Sequence, residues 1–149
     1  PDRYWRSLYT HRKRSMPYAM HDTFDAPSHE ACIARRDRSN TPLQALMLLN
    51  NNSILESSRA LGNWAAQQKG NEEAVIHALF QRVLTRPPDA HEMKVMAGFH
   101  AKQTKRFTAD KKMATEIAGP NPKASPEAVA AWVALARSLL NTHEFITRN

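Results

Sequence analysis

The sequence is poor in the residues that build stapled or sheet-rich small folds. It has one cysteine, Cys32, and four glycines in 149 residues. A lone cysteine leaves no intrachain disulfide, no paired CxxC zinc site and no CxxCH haem attachment. So few glycines disfavour a turn-rich β-sandwich, while nine prolines, several at helix starts, fit an α protein. Long apolar runs are also missing. A run such as Leu46 to Leu49 falls far short of the ~20 residues that span a bilayer. Pro1 opens the chain without a methionine or a signal-peptide pattern. The sequence therefore reads as a piece of something longer, with any export signal before it.

What is present describes a folded domain. Hydrophobic residues make up 42% and charged residues 23%, a globular balance that excludes general disorder. The length suits a single domain. Formal net charge is +7. Residues 1–40 hold eight Lys/Arg and five Asp/Glu, and residues 41–149 hold thirteen and nine. Divided this way the charge is spread, which disfavours a dedicated nucleic-acid face.

The fold class expected is mainly α: an irregular or orthogonal bundle of five or six helices over 41–149, preceded by an extended basic segment over 1–40. Two short stretches of that segment, RYWRSLYT and EACIAR, could pair as a β-hairpin. Thr41-Pro42 is a cap-then-proline helix start. Leu43, Leu46, Met47 and Leu49 are expected to face inward from it. A second helix spans about 52–68, with Ile54, Leu55, Leu61, Trp64 and Ala65 on its apolar stripe. Asn71 caps a third, carrying Val75, Ile76, Leu79 and Phe80. Asp89 caps a fourth that reaches about Phe107. A short fifth runs from Thr108 or Asp110 to Ile117. Ser125-Pro126 opens the last helix, which buries Val129, Trp132, Val133, Ala136, Leu139 and Leu140. Glu144-Phe145-Ile146 is expected to fold back on the core.

Four words occur in order: SLYTHRKR, FDAPSHEACIARRDRSNTPLQALMLLN, ALFQRVLTRPPDAHE and ARSLLNTHEFITRN. Together they resemble the C-terminal domain of unknown function of large planctomycete proteins, in which it follows a cytochrome-c-like module. The likeness runs over nearly the whole chain, and the second word is its most specific part. The resemblance implies an extracytoplasmic protein, periplasmic or secreted, in a redox or polymer-degrading system. It implies haem c in an upstream domain and no cofactor in this piece. It supplies no catalytic residues. His21 and His29 fall where the family pattern does not call for histidine.

Three constellations could carry chemistry. His21, Asp25, His29 and Cys32 are all metal-ligand types, but HxxxDxxxHxxC matches no standard zinc spacing, so no metal is expected. Asp25, His29 and Cys32 could form a reactive site, with Cys32 as a thiolate nucleophile favoured by nearby arginines. Arg35, Arg36 and Arg38 precede the Thr41 helix start. Guanidinium forks beside free helix N–H groups can bind an anion. The competing reading ties these arginines to Asp22, Asp25 and Asp37, fixing an irregular segment that has few apolar residues. That reading is preferred. The basic run Lys102, Lys105, Arg106, Lys111 and Lys112 could touch an anionic polymer or lipid; the preferred reading is a solvated helix face and turn, and Trp64, Phe80, Phe99 and Trp132 read as core.

The function expected is a non-catalytic structural or interaction module of a larger cytochrome-linked protein. Its partners would be the upstream domains, with polysaccharide or another anion as a ligand. The alternatives are an enzyme domain acting on an anionic or carbohydrate substrate through residues 21–38 and, more remotely, nucleic-acid binding.

Overall fold

Caps decide where the helices of this chain begin. In the computed structural model, residues 4, 7–11, 13, 16, 18–27, 32–35 and 38–147 are described. The α-helices among them are α1 (Ala19–Thr23), α2 (Pro42–Asn50), α3 (Asn52–Ala66), α4 (Glu72–Leu84), α5 (Ala90–Ala109), α6 (Lys111–Ala118), α7 (Pro126–Leu140) and α8 (His143–Ile146). Thr41, Asn71, Asp89, Asp110, Ser125 and Thr142 each accept a backbone N–H from their own first turn. Each side chain satisfies one of the donors that a helix start leaves orphaned. The protein is mainly α. The described residues form no strand: Ser7–Tyr9 is a 3-10 turn, and the one bridge is isolated, between Lys13 and Met16. The expected hairpin is therefore absent from the described residues. Leu8 and Ile33, which it would have needed on a packed face, are both exposed.

The chain divides into two units, Pro1–Ser53 and Ile54–Asn149. In the second, α7 is the central helix. Nine of its residues are buried, including Val129, Trp132, Val133, Leu135, Leu139 and Leu140. A helix apolar on most of its circumference must be covered by neighbours, and α7 packs chiefly against α5 and α6. From α4 come Val75, Ile76, Leu79 and Phe80, as the sequence spacing predicts. Fully burying side chains of this size stabilises by roughly 1.5–3 kcal/mol each. Trp64 and Phe99 pack on the same cluster, so the aromatic stripe is core. His100 lies flat on Trp132, ring centroids 3.8 Å apart, with Nδ1 2.9 Å from Glu72 Oε1.

α3 approaches α7 through small residues. Its fully buried line is Ser58, Gly62 and Ala65; of the expected stripe, Ala65 is buried, Leu61 and Trp64 pack on the core cluster, and Ile54 and Leu55 are half-buried. A side chain at position 62 would collide with the Val133 methyl and stand 2.8 Å from Val133 N. Further along α3, the Arg59 guanidinium donates to the carbonyls of Glu116 (2.8 Å) and Ile117 (3.1 Å) at the end of α6. These are carbonyls that the helix cannot satisfy itself. Gly119 follows at φ 78, and a Cβ there would sit 2.7 Å from Arg59 Nε. Asn63 Oδ1 accepts the Lys123 N–H at 2.7 Å.

In the first unit α2 departs from expectation. Leu43, Leu46 and Leu49 are exposed, whereas Gln44 and Leu48 are buried. The helix has leucines on several sides, so apolar spacing alone does not choose its inner face. A polar network centred on Gln44 does.

Candidate functional site

The network occupies the stretch that sets this sequence apart. After α1 the chain turns through Asp25, which adopts a left-handed φ of 55. Aspartate tolerates that conformation better than most residues. Asp25 Oδ2 accepts the Ser39 backbone N–H at 2.8 Å and the Ser39 hydroxyl at 2.7 Å. Ser39 Oγ in turn accepts from Gln44 Nε2 at 2.9 Å, and the same nitrogen donates to the Thr23 carbonyl at 2.8 Å. Gln44 Oε1 accepts the Thr41 N–H, while Thr41 Oγ1 accepts the Gln44 N–H, both at 3.3 Å. The amide orientation of Gln44 follows from these partners: its nitrogen meets two acceptors and its oxygen meets a donor.

Thr41 and Gln44 thus form a capping box, a pattern visible as Thr41-Pro42-Leu43-Gln44. The cap-then-proline start at Thr41-Pro42 is its first half, and Gln44 completes it. That glutamine is 2% exposed. A buried amide with all its groups paired fixes one arrangement of the segments it joins.

The other candidates lie outside this network. Cys32 is a free, exposed thiol. Arg35 and Arg38 are exposed, and Asp22 is exposed on α1. His29, Arg36 and Asp37 fall outside the described residues. Among the described residues no three His, Cys, Asp or Glu side chains stand close enough to share a metal ion. Asp25 and Thr41 are therefore brought together through Ser39 and Gln44.

A second polar cluster ties the other two helical words. Arg86 follows Thr85, whose φ of 60 turns the chain at the end of α4. Its guanidinium lies 2.7 Å from both Glu92 carboxylate oxygens and 2.6 and 2.7 Å from those of Glu144. The hydrogen bonds from Arg86, then the Asp89 N–H, hold the Glu92 carboxyl down to about 2. Arg86 also lowers Glu144, and the two carboxylates keep the guanidinium more firmly protonated. Glu92 closes a second capping box with Asp89. The arginine and glutamates of LTRPPDAHE and SLLNTHEF are thus one ion cluster.

A family model described as PSD1, protein of unknown function (DUF1553), matches residues 1–100. The chain belongs to the PSD1 family. The matched PSD1 segment contains the whole Asp25–Ser39–Gln44 network and the Arg86–Glu92 pair. Glu144 and the word ARSLLNTHEFITRN lie beyond it, so the family match is shorter than the near-complete likeness expected. Searches among curated proteins and among solved structures found no match. No helix among the described residues is long and apolar enough to cross a membrane.

Proposed function

We propose that this PSD1 chain is a non-catalytic structural or interaction module of a larger extracytoplasmic protein. Its partners are other domains of the same polypeptide, one of which carries haem c. The observation that carries the non-catalytic reading is the engagement of Asp25. Its Oδ2 takes the N–H and O–H of Ser39, an arrangement suited to anchoring a loop. A general base needs an oxygen turned toward a substrate proton. Thr41, the helix-start residue of the anion reading, is likewise engaged with Gln44. The cytochrome link and the extracytoplasmic location rest on the resemblance of the four sequence words.

Thermal melts test the reading. Asp25→Asn should lower the melting temperature, because an uncharged amide oxygen accepts the two Ser39 donors more weakly than a carboxylate oxygen does. Phosphate, sulfate and a uronic acid should leave the parent and an Arg35→Gln/Arg38→Gln variant equally stable. Saturable stabilisation of the parent alone, with Asp25→Asn melting as the parent does, would replace this reading with an anion-binding enzyme domain. Haem staining and cell fractionation of the longer protein test the context.

A further inference from the structure

Charge is not evenly spread within the second unit. Residues 94–112 contain six Lys/Arg and a single acid, Asp110. That excess of five compares with +7 for the whole chain. Lys94, Lys102, Lys105 and Arg106 are exposed and lie along the solvent side of α5, while Lys111 and Lys112 are exposed at the start of α6. None of the six side chains forms an ion pair with a described residue. Asp110 is occupied, because its Oδ1 accepts the Met113 N–H as the cap of α6, and Glu116, exposed one turn beyond Lys112, is the one further carboxylate that α6 carries. The acid of α5 itself, Glu92, is held by Arg86. Six unneutralised cations on adjoining helices repel one another, which is costly unless something anionic meets them.

Apart from Val95 and Thr108, the remainder of that exposed face is small. Gly98, Ala101 and Ala109 are exposed between the cations. Gly98 lies one helical turn from both Lys94 and Lys102. A Cβ at Gly98 would meet nothing within 4 Å, so packing does not require glycine there. Glycine is the poorest helix former after proline. Its presence leaves the backbone open between two ammonium-bearing positions, where a phosphate can approach both.

We propose that the α5–α6 face docks on an anionic lipid surface by charge alone. A cluster of four to eight Lys/Arg is the pattern that anionic headgroups attract. Val95 is the only exposed large apolar side chain of α5, so the contact is peripheral and does not insert. Other polyanions fit less well. The aromatic rings of α5, Phe99 and Phe107, are packed in the core, leaving no stacking platform for single-stranded bases. Thr104 and Thr108 turn their hydroxyls back to the carbonyls of His100 and Thr104, so they do not read base edges or sugars. A flat array of phosphates can be reached together by Lys94, Lys102, Lys105 and Arg106, which fall within about a third of the circumference of α5.

The test is vesicle co-sedimentation of the full chain. Vesicles of phosphatidylcholine containing phosphatidylserine should bind it at low salt and release it at high salt, and pure phosphatidylcholine vesicles should not bind. Lys94→Gln/Lys102→Gln/Lys105→Gln should weaken binding about a hundredfold, from roughly a fivefold loss per lysine. A control of equal charge, Arg38→Gln/Lys69→Gln/Lys123→Gln, should bind nearly as the parent does. Circular dichroism of both variants should match the parent, since all six side chains are exposed. Equal loss in the two variants, or no binding to the anionic vesicles, overturns the proposal. Binding to duplex DNA through the α5 lysines, without vesicle binding, overturns it in favour of nucleic acid.

Discussion

Arg86 and Glu144 stand 58 residues apart in sequence and share two hydrogen bonds of 2.6 and 2.7 Å. The same guanidinium grips Glu92, the residue that completes the cap of α5. One side chain therefore fixes the end of α4, the start of α5 and the short α8. Its hold depends on two carboxylates remaining ionised.

Acid should loosen it. Glu92 titrates near 2 in the fold, below its ordinary 4.5, and Glu144 is shifted in the same direction. Depressed carboxyl values contribute stability above the unfolded range, and that contribution is lost as pH falls from about 4.5 toward 2. Melting temperature should drop across this window in the parent. The drop should be smaller in Arg86→Met, which has no paired carboxylates to lose. Parallel curves for the two proteins would remove the cluster from the acid response.

Gly62→Ala should destabilise by about 1–3 kcal/mol, the usual cost of overpacking. The added methyl meets Val133 backbone atoms at 2.8 and 3.0 Å as well as its side chain. Trimming the partner in Gly62→Ala/Val133→Ala should therefore fail to restore the parent's denaturation midpoint. Full rescue would show that only the side chain was in the way.

Replacing Gln44 by Met keeps its volume and removes its hydrogen bonds. The half-buried Thr23 carbonyl and Ser39 hydroxyl each lose a donor, and since Ser39 still bonds Asp25 the cost should be about 1 kcal/mol, the low end for an unpaired buried group. Amide exchange should accelerate in α2 and at Ser39 while α7 is unaffected. Unchanged protection of α2 would mean that the network is not what holds it.

Thr85 offers a change in the other direction. A β-branched residue at φ 60 is strained, and glycine is the common choice at this position after a helix. Thr85→Gly should raise stability by about 1 kcal/mol, read from denaturant midpoints. A loss of stability would indicate that the Thr85 side chain has a role of its own.

Sequence revealed the parts of this fold that depend on neighbouring residues. Thr41-Pro42, Asn71, Asp89 and Ser125-Pro126 were legible as helix starts because a cap bonds only two or three residues ahead. The α4 and α7 cores were legible because their apolar spacing is strong. α1 was not: its first residue follows Tyr18, which makes no capping bond, and five residues carry little periodicity. The inner face of α2 is set by Thr23, Asp25 and Ser39, which reach Gln44 from across a loop. Of the candidate site, the residue types of 25–41 were visible, but not that Asp25 would meet Ser39. Nothing local indicates that Arg86 reaches Glu144.

The grip of α3 on residues 116–123 bears on where this chain can be cut or extended. An exposed loop rich in Gly, Pro and Asn, such as GPNPKASP, would ordinarily be chosen for a tag, a protease site or new termini. Here Arg59 holds the carbonyls just before it, and Asn63 holds Lys123 within it. A fusion inserted between Gly119 and Lys123 would have to spread two anchor points one helical turn apart on the same helix. The turn at Lys69-Gly70 is exposed on both residues, and a Cβ at Gly70 comes no closer than 3.7 Å to another side chain. That turn is the better place to open the chain.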